Sequence, residues 1–181
     1  MALWQDGGIV KSMGGSEENG SPKERMNHME KKYYIAYGSN MDFTQMRRRC
    51  PDAELVGAGI VKGYELLFKG SGSGSYATIE REARSKVPVL VWRISAMDEE
   101  SLDRYEGFPT FYYKTDLPVK MQDGAEITGM VYIMDEKRTL GFPSHGYARI
   151  LYDAYINFGW DTAIIDNAFE KSSAAQTPIS R

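Results

Sequence analysis

The chain has 181 residues, 42% hydrophobic and 26% charged, the balance of one globular domain rather than of a wholly disordered chain. Its net charge of −3, from 22 basic and 25 acidic residues, does not invite a polyanion, and no apolar run approaches the roughly 20 residues of a membrane-spanning helix. A single cysteine, Cys50, excludes an internal disulfide framework or a cysteine zinc cluster, and two histidines leave little for a histidine metal site; the 12 tyrosines instead form an aromatic surplus that carries hydroxyl groups.

Residues 1–32 are rich in glycine and charge, without periodicity or an apolar stretch of signal-peptide length, and read as a disordered leader in which Met26 or Met29 could be an alternative start. Residues 33–171 form the expected domain, and 172–181 a frayed tail of small polar residues. Within the domain, Tyr33–Tyr37 reads as a strand broken by Gly38-Ser39-Asn40, and Met41–Arg49 as a helix capped by Asp42 or Thr44. Strands are expected at Leu55–Val61 and Tyr64–Phe68, then a flexible Gly70–Gly74 loop, then strands at Tyr76–Glu80 and Val87–Ile94. The last of these is apolar on both faces, as a central strand is. Ser95–Tyr105 reads as a helix with an acidic first turn and Gly107 as its terminator; strands follow at Tyr112–Lys120 and Ile127–Met134. Tyr147, Ile150, Leu151, Ala154, Tyr155 and Phe158 recur at helical spacing, Gly159 ends that helix, and Trp160–Phe169 makes another. About seven strands and four helices in this order predict an α+β fold, a small mixed β-barrel or sheet flanked by helices.

Most candidate chemistry reduces to structure. The Gly-rich run lacks the order of a nucleotide-binding loop, Arg47-Arg48-Arg49 reads as a solvated helix face, Cys50 has no histidine partner, and Ser39 lacks the flanks of a nucleophile elbow. Two segments remain. Tyr34 to Met41 runs from strand through Gly-Ser-Asn into a helix; it is either an ordinary turn or a set of backbone N–H groups facing an anion or a developing oxyanion. Leu102 to Pro109 places Glu106 at a helix C-terminus, three residues after Asp103 and beside Tyr105, Phe108 and Pro109. It is either a solvated glutamate or a carboxyl whose pKa is raised by the helix end, the like charge and apolar cover.

Together these segments resemble the γ-glutamylcyclotransferase-like (AIG2-like) family. The resemblance rests on Tyr-Gly-Ser-Asn at 37–40, Gly-Tyr-Glu-Leu-Leu-Phe at 63–68, Leu-Asp-Arg-Tyr-Glu-Gly at 102–107 and Pro-Ser-His-Gly-Tyr at 143–147, in that order. It implies a compact mixed β-barrel flanked by helices. It also implies a cofactor-independent lyase that closes a γ-glutamyl amide to 5-oxoproline and frees an amine, placing the protein in glutathione metabolism. Carried over, Glu106 becomes the catalytic acid/base, and Tyr34, Ile35, Ala36, Tyr37, Gly38, Ser39, Asn40, Tyr113, Tyr132 and Tyr147 the substrate-binding residues. Tyr112 adjoins Tyr113, and a one-residue shift would exchange their faces. The expected partner is a small γ-glutamyl substrate, with no metal, nucleic acid or membrane, for a cytoplasmic monomer or homodimer. Asn40 favours γ-glutamyl amino acids as substrates. The alternatives are a γ-glutamylamine cyclotransferase, an enzyme deprotecting a γ-glutamyl biosynthetic intermediate, or a non-catalytic γ-glutamyl-binding module.

Overall fold

The computed structural model describes residues 31–71 and 74–176; the expected leader through residue 30 and residues 177–181 of the expected tail lie outside the described residues. Strand β1 (Lys32–Ala36) is short because Gly38 turns the chain into a 3-10 turn (Ser39–Met41) and helix α1 (Phe43–Arg49), which Asp42 caps by accepting from the Gln45 N–H at 2.7 Å. Strands β2 (Glu54–Ser71) and β3 (Gly74–Ile94) form one long antiparallel hairpin. Helix α2 (Ala96–Glu106) follows, with a reciprocal Ser95/Asp98 capping box at its start and Gly107 at φ 67° at its end. Then come β4 (Tyr112–Met121), β5 (Glu126–Met134), the two-residue β6 (Thr139–Leu140), α3 (His145–Asn157) and α4 (Ala163–Gln176).

The strands run in the order β3-β1-β5-β4-β2, and pairing of β2 back onto β3 closes a five-stranded mixed barrel, with β6 a short addition on β2. The β1–β5 pair is parallel, through Tyr34 and Met130, and the other pairs are antiparallel. Val87, Val89, Leu90, Val91 and Ile94 of β3 are fully buried, because β1 and β2 flank that strand and both its faces are covered. The core continues through Ile35, Phe68, Ile79, Val131 and Met134 to Leu151 and Tyr155 of α3.

Two expectations change here. The four strands expected between Leu55 and Ile94 are two. A bulge between Lys62 and Tyr64, with Gly63 at φ 76°, joins the first two, and residues 82–85 opposite it join the others. The Gly-rich run belongs largely to the ladder: Gly70 pairs with Ser75, and a Cβ on Gly70 would lie 1.9 Å from the Gly74 carbonyl oxygen. At the other end, α4 runs to Gln176, so residues 172–176 are helix rather than frayed tail. Ser172 is fully buried and donates from its Oγ to the Ala168 carbonyl at 3.1 Å.

Candidate active site

Where β1 leaves the barrel, the end of α2 and the start of α3 approach it, and together with residues of β3, β4 and β5 they line a cavity of about 380 Å³. β1 and the turn after it contribute Tyr34, Ile35, Tyr37, Gly38, Ser39 and Asn40 to its wall. Gly38 is favoured by close approach rather than by its backbone angles: a Cβ there would lie 3.0 Å from the Tyr147 hydroxyl, which would have to give way by a few tenths of an ångström. Asn40, itself buried, donates from Nδ2 to the Tyr34 hydroxyl at 2.7 Å and to Glu106 Oε1 at 3.0 Å.

Glu106 is the last residue of α2, held at the cavity wall by the Gly107 turn. Burial raises its pKa from 4.5 to about 7, against the opposing charge of Arg49 and the Asn40 hydrogen bond. The expected contribution of Asp103 is absent, because that carboxylate is otherwise engaged. Its Oδ1 accepts from the Tyr132 hydroxyl at 2.5 Å, and its Oδ2 pairs with Lys114 at 3.0 Å. The expected apolar cover from Phe108 is also displaced: Phe108 lies at the surface, more than a third exposed, with the Lys114 ammonium 4.4 Å from its ring centroid.

The tyrosines around Glu106 are neutral donors and acceptors. Burial pushes the pKa values of Tyr34, Tyr37, Tyr112, Tyr132 and Tyr147 upward. Three of them spend their proton on the protein: Tyr37 on the Tyr132 carbonyl (2.5 Å), Tyr112 on the Ala77 carbonyl (2.9 Å) and Tyr132 on Asp103. Two do not. Tyr34 accepts from Asn40, and Tyr147 accepts from the Ala77 N–H at 3.1 Å, with the Ser39 backbone also bonded to it. Among the described residues no acceptor takes their protons, so both hydroxyls can donate into the cavity.

Of the expected site residues, Glu106, Tyr34, Ile35, Tyr37, Gly38, Ser39, Asn40, Tyr132 and Tyr147 all line the cavity. Ala36 does not: it is buried in the core, paired with Leu90 on the neighbouring strand. Tyr113 does not either. It pairs with Ile133 on the opposite face of β4 and is 42% exposed, whereas Tyr112 lines the cavity at 7%. The sequence reading missed Tyr76, Ala77 and Phe111, and it placed Arg49 on a solvated face. Arg49 reaches inward, its guanidinium 3.6 Å from the Tyr105 ring centroid and its Nη1 3.1 Å from Ser39 Oγ. A signal existed: Arg49 lies three residues after Met46, the buried residue of α1, and so on nearly the same helix face. Among the described residues no three His, Cys, Asp or Glu side chains converge as a metal site requires.

Residues 34–152 match the family model described as Gamma-glutamyl cyclotransferase, AIG2-like, and the chain belongs to that family. A human and a bovine protein named Gamma-glutamylcyclotransferase are each 29% identical over 126 residues, covering 65% of this chain and 66% of theirs, just under two thirds of their length. A solved structure named Gamma-glutamyl cyclotransferase superposes with a TM-score of 0.67 at 26% identity, over 83% of this chain and 90% of that one.

Proposed function

We propose that this protein is a γ-glutamylcyclotransferase that converts γ-glutamyl amides, γ-glutamyl amino acids first among them, to 5-oxoproline and a free amine. The observation that carries the reading is Glu106, a carboxyl poised near neutrality, hydrogen-bonded by Asn40 in a cavity of small-molecule size. In this reading the substrate's α-ammonium gives a proton to Glu106, and the freed amine attacks the γ-carbonyl carbon. The new C–N bond closes a five-membered ring. The bond to the acceptor nitrogen breaks as Glu106 returns the proton to that nitrogen, and the second proton on the ring nitrogen passes to the released amine, which departs as its ammonium. Atoms balance without water, since one amide yields one 5-oxoproline and one amine.

Nucleophile and electrophile share one molecule, so the cavity's task is to fold the substrate for ring closure, which carries a large effective concentration. The free donors of Tyr34 and Tyr147 suit the oxygen of the γ-carbonyl or of the α-carboxylate, and the Gly38–Asn40 turn lets the main chain come close. A near-neutral pKa lets one carboxyl both take and return a proton in the physiological range.

The test is 5-oxoproline release, measured by mass spectrometry, from a panel of γ-glutamyl dipeptides and γ-glutamylamines. Turnover by the wild type and a loss of about 10²–10⁴-fold in Glu106→Gln are expected. An active Glu106→Gln variant would remove Glu106 from the role. Saturable binding of the panel with no turnover would make the protein a γ-glutamyl-binding module instead.

A further inference from the structure

We infer that Arg49 is a positioning residue for the site: its guanidinium fixes which way the Asn40 amide faces and ties the end of α2, with Glu106, to the turn after β1. A carboxamide can present either its oxygen or its nitrogen to a neighbour, and a guanidinium has donors alone. Arg49 Nη1 donates to Asn40 Oδ1, so Nδ2 is the end that meets Glu106 Oε1 at 3.0 Å. With the amide reversed, two acceptor oxygens would face each other and the carboxylate would lose its hydrogen bond.

The same head group does more than turn an amide. Nη1 also reaches Ser39 Oγ at 3.1 Å, Nη2 donates to Gln45 Oε1 at 2.5 Å, and the guanidinium carbon sits 3.6 Å from the centroid of the Tyr105 ring. Tyr105 directly precedes Glu106, and its hydroxyl lies 3.3 Å from Ser39 Oγ. Arg49 therefore clamps three pieces of backbone: α1 through Gln45, the turn through Ser39 and Asn40, and α2 through Tyr105. A lysine could carry the charge but could not serve these acceptors and stack on the ring together.

The groups interacting with Glu106 from the packed elements are Tyr34 and Tyr37 of β1 and the residue after it, Cys50 beyond α1, Tyr112 of β4, Tyr132 of β5 and Tyr147 of α3. All have pKa values pushed well above neutrality and stay uncharged around pH 7. Among the described residues, Arg49 is the one cation acting on Glu106. Its removal takes away both the counter-charge and the oriented hydrogen bond.

The inference deepens the proposed cyclotransferase reading for its kinetic readout, while its direct readout needs no activity. That readout is the side-chain carboxyl ¹³C shift of Glu106, assigned by its loss in Glu106→Gln and followed against pH. In Arg49→Met the titration midpoint should rise by about one pH unit or more. In Arg49→Lys the midpoint should stay within about half a unit of wild type, while kcat/KM falls roughly tenfold at every pH, because charge is kept and orientation is lost. A folded Arg49→Met with an unmoved midpoint overturns the inference, as does full recovery of kcat/KM by lysine. Should Arg49→Met not fold, Arg49→Gln removes the same charge with a polar side chain, and an unmoved midpoint there overturns the inference equally. Absence of turnover in the wild type would refute the enzyme and leave the carboxyl titration to decide on Arg49.

Discussion

Holding Glu106 in its cavity has a cost that depends on pH, and replacing it with glutamine should expose that cost. The folded-state pKa of about 7 lies above the ordinary 4.5, so the protonated carboxyl is the form the fold favours. Its contribution to stability is fully present below about pH 4.5, declines as pH rises toward 7, and levels off above that. A displacement from 4.5 to about 7, at 1.36 kcal/mol per unit, amounts to roughly 3 kcal/mol. That is an upper figure, because water reaches the carboxyl through the cavity mouth and screens part of the charge. Glutamine keeps the shape and never ionises. Urea unfolding of both proteins, between about pH 4 and pH 8, isolates the effect, because every other titrating group cancels in the difference. The glutamine variant should gain on the wild type by roughly 2–3 kcal/mol across that range, with the change centred between the two pKa values. A stability difference that does not vary with pH would refute the burial argument, and with it the reason Glu106 could exchange protons near neutrality.

Two further predictions test the register of β4 and a partly buried ion pair. Tyr112→Phe leaves the Ala77 carbonyl without its donor and should cost about 1 kcal/mol, whereas the exposed Tyr113→Phe should stay within about 0.5 kcal/mol in the same denaturation assay; the reverse order would put β4 in the wrong register. Lys69, whose side chain is 8% exposed, pairs with Glu80 and donates to the Glu136 carbonyl at 2.9 Å. Lys69→Met strands the Glu80 carboxylate and should cost about 3 kcal/mol, much of it recovered on adding Glu80→Gln; a double variant no better than the single one would show that the pair's charge is not what matters.

The barrel was largely legible, and the places where it was not have physical causes. Val87 to Ile94 is apolar at nearly every position, which marks a strand covered on both faces, and it lies between β1 and β2. Ser95, Asp98 and Gly107 announce both ends of α2 through chemistry that belongs to helix ends alone. By contrast, Arg81 to Lys86 is charged at most positions and reads as a break, although it continues β3. Arg81 and Lys86 pair with Tyr64 and Lys62, while residues 82–85 between them span the β2 bulge without ladder partners, so the strand continues with little apolar signal there. Ser172 looked like tail because small polar residues carry no periodicity; its burial depends on what α4 packs against, which is tertiary information.

The site shows the same division more sharply. Glu106, Gly38 and Asn40 were legible because each occupies a position that local chemistry marks: a helix end, a close approach, the opening of a helical turn. Tyr112 was not. Leu117, Val119 and Met121 alternate as the buried residues of β4, and counting back in twos from them reaches Tyr113. That count fails because β4 is buried on different faces along its length. Near Met121 the barrel interior covers it, whereas at its start Tyr112 shares a face with Lys114 and, across the ladder, with Met134 and Tyr132, on the side where α2 packs. Arg49 failed for a related reason. A run of three arginines averages to a solvated surface, yet the helix separates its members by about 100° each, and the third points back toward Asn40. In both cases the residue type was visible and the face was not, since a face is decided by the element packed against it. The polar tyrosines and one inward arginine are therefore what the barrel adds to a motif the linear sequence already displays: they keep Glu106 dry enough to hold a proton near neutrality and charged enough to release it.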